Sequence, residues 1–227
     1  MTRKCVPSIR LRHGRTLQAL WLAAALIVPV SVIVTPPDAK SAEPAAESFV
    51  RTNLETGLSI LNDHTLGEAE RGEKLRGQLD SIIDSRGVAM FSLGFARRSA
   101  TPKQIEQFVE VFRNYLLAYY ASILTKYYKG QVVQITRCVE VDPQTYIVSA
   151  VLVNPAEANQ KQFQPIEMDF RVNRDNGHFY ITDFAVARMW FGIQQRDRIR
   201  SFLLETGNFS GLIVRLRVLT GLKQLLN

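Results

Sequence analysis

Cysteine is nearly missing from this chain: Cys5 and Cys138 are the only two among 227 residues. Cys5 falls in the N-terminal segment read below as an export signal. Cys138 is then left by itself, and an intramolecular disulfide is excluded from the exported part. Cys138 sits in the apolar-rich run Val132–Val141 and reads as a small buried core residue. Histidine is equally scarce. Beyond residue 42 there are two, His64 and His178, far apart and without metal-type companions. The chain has no H-E-x-x-H, no C-x-x-C, no G-x-S-x-G and no glycine-rich phosphate loop. No set of catalytic, metal-binding or cofactor-binding residues emerges, and stability has to come from packing.

A large charge excess is also absent once the N-terminus is set aside. The whole chain carries +7, which on its face invites a nucleic-acid partner. Residues 1–42 hold six of the 28 Lys and Arg and one of the 21 Asp and Glu. The remainder has 22 basic against 20 acidic residues, a net +2, so no nucleic-acid partner is expected.

What is present begins with targeting. Arg3, Lys4, Arg10, Arg12 and Arg15 precede an apolar stretch from Leu17 to Val34, broken by Gln18, Pro29 and Ser31. Small residues suited to a signal peptidase follow, at Ala39-Lys40-Ser41 or Ala42-Glu43-Pro44-Ala45. Residues 1–42 are therefore expected to be a cleavable export signal and 43–227 a single domain working outside the cytoplasm. The rival reading is an uncleaved anchor, since the apolar stretch is near the roughly 20 residues that span a bilayer.

Apolar periodicity predicts helices over Ala45–Leu61 and Glu68–Ile83, and a shorter piece over Val88–Leu93 ended by Gly94. Thr101-Pro102-Lys103-Gln104 combines an N-cap hydroxyl, proline at the first helical position and glutamine three residues after the cap. It opens a long helix expected to run to about Lys129. Ile105, Phe108, Val109, Phe112, Tyr115, Leu116, Tyr119 and Ile123 fall on one side of that helix, an aromatic stripe able to line a cavity. The period then changes. Gln131–Val141, Thr145–Val153, Gln164–Asn173 and His178–Val186 read as strands, with a hairpin turn at Arg174–Gly177. Pro155–Gln164 reads as a polar loop. Helical spacing returns after Trp190. The expected fold class is α+β: a four-stranded antiparallel sheet packed against helices, with a long central helix and C-terminal helices.

Among polar residues Asp183 stands out, in a strand with bulky apolar neighbours. If it faced the interior it would need a partner, and Arg188 or Arg137 are candidates. It reads either as a polar anchor at a pocket mouth or as a structural ion pair. An enzyme using Asp183 as acid or base would need a second polar group converging on it, and none is evident. Arg196, Arg198, Arg200, Arg215, Arg217 and Lys223 either face anionic headgroups or form a solvated helix face. Met189-Trp190-Phe191 is an apolar cluster that is either core or the gate of a cavity.

Taken together, Asp84, Leu93-Gly94, Arg98, Thr101-Pro102, Gln104, Phe108, Phe112, Leu116 and Tyr120 resemble the pattern of the MlaC family, the toluene-tolerance lipid-binding proteins. Pro165-Ile166, Phe179-Tyr180-Ile181-Thr182-Asp183-Phe184, Arg196, Phe202, Gly207 and Leu212-Ile213 follow its second half. Three positions depart. Phe179 stands where the family commonly has Trp, Arg188 where it has Gly, and Trp190 where it has Ser. The resemblance implies a periplasmic lipid carrier that is not an enzyme and has no cofactor. Its cargo would be a phospholipid, or a hopanoid-type lipid if the chain belongs to a divergent branch. Its partners would be an inner-membrane MCE/ABC transporter and an outer-membrane lipoprotein complex. The expected lipid-binding residues are Phe108, Phe112, Tyr115 and Tyr119 from the long helix, Ile166, Met168 and Phe170 from the sheet, and Trp190 near the rim. Asp183 and Arg188 form the expected polar rim. A periplasmic adaptor with a filled core is the alternative.

Overall fold

The structure is a computed structural model that describes residues 44–155 and 165–225. The expected export signal (1–42) and nearly all of the expected loop Pro155–Gln164 lie outside the described residues. Along the chain come α1 (Pro44–Asn62), α2 (Glu68–Ile82), α3 (Ser85–Leu93), a 3-10 turn (Gly94–Arg98) and α4 (Pro102–Tyr127). Then follow β1 (Val132–Asp142), β2 (Thr145–Val153), β3 (Ile166–Asp175), β4 (His178–Val186), β5 (Met189–Trp190), α5 (Phe191–Thr206) and α6 (Phe209–Leu225).

Local chemistry explains where α4 starts. The Thr101 hydroxyl accepts from the Gln104 backbone N–H, and the Gln104 side chain accepts from the Thr101 N–H at 2.8 Å. Two otherwise orphaned donors are thereby satisfied, and Pro102 contributes none. The expected stripe residues Phe108, Phe112, Tyr115 and Leu116 are buried, but so are Val111, Leu117, Tyr120 and Ala121. The burial is wider than one stripe because α2, α3 and α6 all pack against α4.

The sheet has five strands, not the expected four, in the order β1-β2-β3-β4-β5 with every neighbouring pair antiparallel. The additional strand, β5, is two residues long and returns along β4 through Ala187 and Arg188. Both sit at positive φ, 48° and 66°. A two-residue hairpin loop of this hand favours Asn and Gly. The β3–β4 turn obeys that preference with Asn176 and Gly177. Ala187-Arg188 does not, so this hairpin carries no turn signal in the sequence.

One face of the sheet is apolar. Cys138, Tyr146, Val148, Ala150, Phe170, Val172 and Ile181 form a core with Ala46 and Val50 of α1. The opposite face is polar: Ser149 donates to Asp169 at 2.6 Å, and Thr182 donates to Asn173 at 2.8 Å. A second core lies among the helices, centred on Phe108, Phe112, Tyr115, Leu116, Ile199, Leu212 and Leu216. Ile83 and Phe184 pack against both cores.

A non-glycine residue held in the left-handed region costs on the order of 1–3 kcal/mol. Among the described residues, Arg188 has an exposed ion pair to Glu167 at 3.3 Å to set against that. Arg188→Gly is expected to raise stability by about 1 kcal/mol, after the greater entropy of unfolded glycine is subtracted. A denaturant titration checks this, and a lowered midpoint would mean that the Arg188 side chain stabilises the fold by more than its visible contact.

Candidate functional site

An irregularity in β4 organises the junction between the two cores. Phe170 pairs with Phe184 and Val172 pairs with Ile181, so two residues of β4 oppose Arg171 alone. This β-bulge breaks the strict alternation of side chains. Without it Ile181 and Phe184 would lie on opposite faces; with it both pack on the sheet core. Asp183 is turned toward the start of α5 instead. Its carboxylate accepts from the Phe184 and Gly192 backbone N–H groups, each at 2.8 Å. The helix N-terminus is a favourable place for that charge. Gly192 permits the approach, because a Cβ there would lie 2.9 Å from the Asp183 carboxylate. Burial pushes the Asp183 carboxyl above its ordinary range, against the pull of the two N–H groups and of Arg171.

Around this point Ile83, Val88, Tyr120, Ile181, Asp183 and Phe184 enclose about 10 Å³. That is barely enough to hold one water molecule, so the seam between sheet and helices is closed here. From the seam a run of ring contacts leads along α4. Phe184 stacks on Phe191 at 4.2 Å, and Tyr120 meets both at 5.0 and 5.8 Å. The run continues through Tyr119, Tyr115, Phe112 and Phe108 to Phe209 on α6. Arg198 lies 4.8 Å over the Tyr119 ring and donates to the Tyr115 hydroxyl at 2.8 Å. Burial raises the Tyr115 phenol and, more strongly, the Tyr120 phenol, so both stay neutral. These side chains provide an apolar lining with a few fixed polar points. Among the described residues no group of His, Cys, Asp and Glu could hold a metal ion.

The expected site residues are distributed over three places. Phe108, Phe112 and Tyr115 lie in the helical core, with Tyr119 packed against it. Phe170 and Met168 belong to the sheet core, while Ile166, at the start of β3, is exposed. Trp190 is on the polar side of the sheet, 4.8 Å beneath the Arg171 guanidinium. There it lines an open groove of about 490 Å³ with Ile147, Arg171, Asn173 and Thr182. The two expected rim residues are not together either, since Arg188 pairs with Glu167 and Asp183 holds α5. The seam residues Ile83, Val88, Tyr120, Ile181 and Phe184 were absent from the expected site. Tyr120 and Phe184 carried a signal, as aromatics inside the matching motifs, but nothing in the sequence announced the bulge that unites them.

Residues 51–218 match the family of the MlaC protein. The chain belongs to the MlaC family. No curated protein matches it. Among solved structures, the phospholipid-binding protein from Ralstonia solanacearum, in complex with a phospholipid, is similar in fold at a TM-score of 0.64 and 18% identity. The similarity covers 78% of this chain and 98% of that one. In this MlaC-family chain the two departures at Arg188 and Trp190 fall together on the β4–β5 hairpin, away from the seam.

Because its folded-state value is raised, the Asp183 carboxyl contributes most below the ordinary carboxylate range, and that contribution is lost as pH rises through the raised value. Asp183→Asn keeps an oxygen to accept from Gly192 but does not ionise. Its stability relative to the natural chain should therefore increase from about pH 3 to about pH 7. Thermal unfolding across that range tests the sign; a relative stability that falls instead would show that the charge at the α5 N-terminus outweighs the burial.

Proposed function

We propose that this protein is a phospholipid carrier of the periplasm, and not an enzyme. The observation that carries the proposal is the family match over residues 51–218. The fold shared with a solved phospholipid-binding protein supports it. In this reading residues 1–42 deliver the chain across the inner membrane. The carrier then exchanges lipid with an MCE-type ABC transporter on one side and an outer-membrane lipoprotein complex on the other.

The physics of such a carrier is set by the seam. Each acyl methylene withdrawn from water contributes about 0.8 kcal/mol, so two long chains between apolar layers escape into water too slowly to be useful. The seam as described is closed, and acyl chains enter by separating the sheet core from the helical core at Ile83, Val88, Ile181 and Phe184. The two layers are joined there by side-chain packing and by a short parallel backbone bridge between Ile83 and Ile181, in which the Asp84 N–H donates to the Ile181 carbonyl at 3.1 Å. Packing of this kind is replaceable, because an acyl chain restores the same contacts. The aromatic run along α4 extends the apolar wall. Asp183 stays at the edge, where its charge is held by backbone N–H groups.

Mass spectrometry of an organic extract from the exported protein, purified without detergent, should detect a stoichiometric phospholipid. A hopanoid-type lipid in its place would change the cargo class and keep the carrier. A folded protein that is free of lipid and refuses added lipid would sink the proposal in favour of an adaptor. Val88→Trp, which fills the seam, is expected to reduce co-purifying lipid at least several-fold and to cost about 1–3 kcal/mol of stability. Circular dichroism on the same sample separates loss of lipid from loss of fold.

A further inference from the structure

We infer that the end of α3, the 3-10 turn and the facing side of α5 form a surface that docks directly on a bilayer rich in anionic phospholipid. This rests on the carrier reading above and names where the carrier would meet its lipid source.

Two phenylalanines are exposed within five residues of each other. Phe91 is 45% exposed and Phe95 is 83% exposed, the highest value among the large apolar side chains described. Isolated apolar residues on a surface are ordinary, but these two form part of a pattern. Each ring carries a guanidinium on its face. Arg98 lies 5.1 Å over Phe95, and Arg196 lies 5.3 Å over Phe91. Arg196 arrives from α5, and its stem runs past Gly94, where a Cβ would meet it at 3.5 Å. Gly94 ends α3 at φ 55°, a conformation that suits glycine, and the chain turns there into the short helix bearing Phe95, Arg97 and Arg98.

Arg97, Arg98 and Arg196 make no ion pair with a carboxylate among the described residues, whereas Arg86, at the start of α3, is taken up by Glu106. Asp197 is the acidic residue beside Arg196 on α5. Three arginines without an ion pair among the described residues and two exposed rings thus share one short stretch of surface. Aromatic rings at headgroup depth and arginines against anionic phosphates are how proteins lie on membrane surfaces. A ring as exposed as Phe95 projects from the surface. A soft anionic interface accepts such a ring without a preformed pocket, while a protein partner would have to supply one.

The test is co-sedimentation of the exported protein with vesicles of phosphatidylglycerol and phosphatidylethanolamine, compared with vesicles of phosphatidylcholine. Binding is expected to the anionic vesicles only and to fall with added salt. Arg97→Glu and Arg98→Glu should each weaken it about 5-fold or more, as should Phe95→Ser through loss of the inserted ring. All three positions are exposed, and unchanged thermal unfolding would show the variants to be folded. Equal binding by the variants, or no binding by the natural protein, overturns the inference. If that protein still carries lipid, the carrier reading survives and the patch belongs to an acidic protein partner. If lipid is also absent, both readings fall together.

Discussion

The bulge in β4 is the constraint on which the rest of the arrangement depends. One additional residue opposite Arg171 brings Ile181 and Phe184 to the same side of the sheet and turns the Asp183 carboxylate toward the first N–H groups of α5. The carboxylate ties the start of α5 to the sheet. From that anchored end α5 brings Arg198 to the Tyr115 and Tyr119 hydroxyls, and α6 folds back on α4. Remove the bulge and Phe184 leaves the junction, so the sheet core and the helical core lose one of the two apolar side chains that pack on both.

The energetic character of the two layers differs. Within the sheet, backbone ladders and the apolar face hold the strands in register, and neither can be exchanged for anything a ligand offers. Between the layers the seam is packed by apolar side chains that have no directional requirement, beside two directional links, Asp84 N–H to the Ile181 carbonyl and Gly192 N–H to the Asp183 carboxylate. A dry apolar contact is stabilised by area removed from water, and it is indifferent to whether the covering atoms belong to protein or to an acyl chain. This is the physical basis on which a closed seam and a lipid-binding function are compatible.

Much of the fold was legible. The Thr101 capping box, the Asn176-Gly177 turn and the period change after Gly130 each act within a few residues, and the elements they predict appear at nearly the predicted bounds. Cys138 reads as core and is core. The β5 strand was not legible, because two residues are too few for a pattern and Ala187-Arg188 is not a turn sequence. The apolar character of the expected site residues was legible, but their positions in the fold were not. Phe108 and Phe170 look equivalent in sequence, yet they belong to separate cores, because which face meets which layer depends on partners far along the chain.

What the sequence by itself determined was therefore local and periodic: helix starts, strand alternation, and the family motifs carried by Leu93-Gly94, Thr101-Pro102 and Phe179–Phe184. The tertiary structure alone decided that Trp190 lies on the polar side of the sheet, that the Asp183 carboxylate accepts from the first N–H groups of α5, and that Ile83, Tyr120 and Phe184 meet. The reason is physical. Propensity and capping act through neighbours in the chain, whereas the direction of a side chain beyond a bulge is settled by long-range pairing that no short window of residues contains.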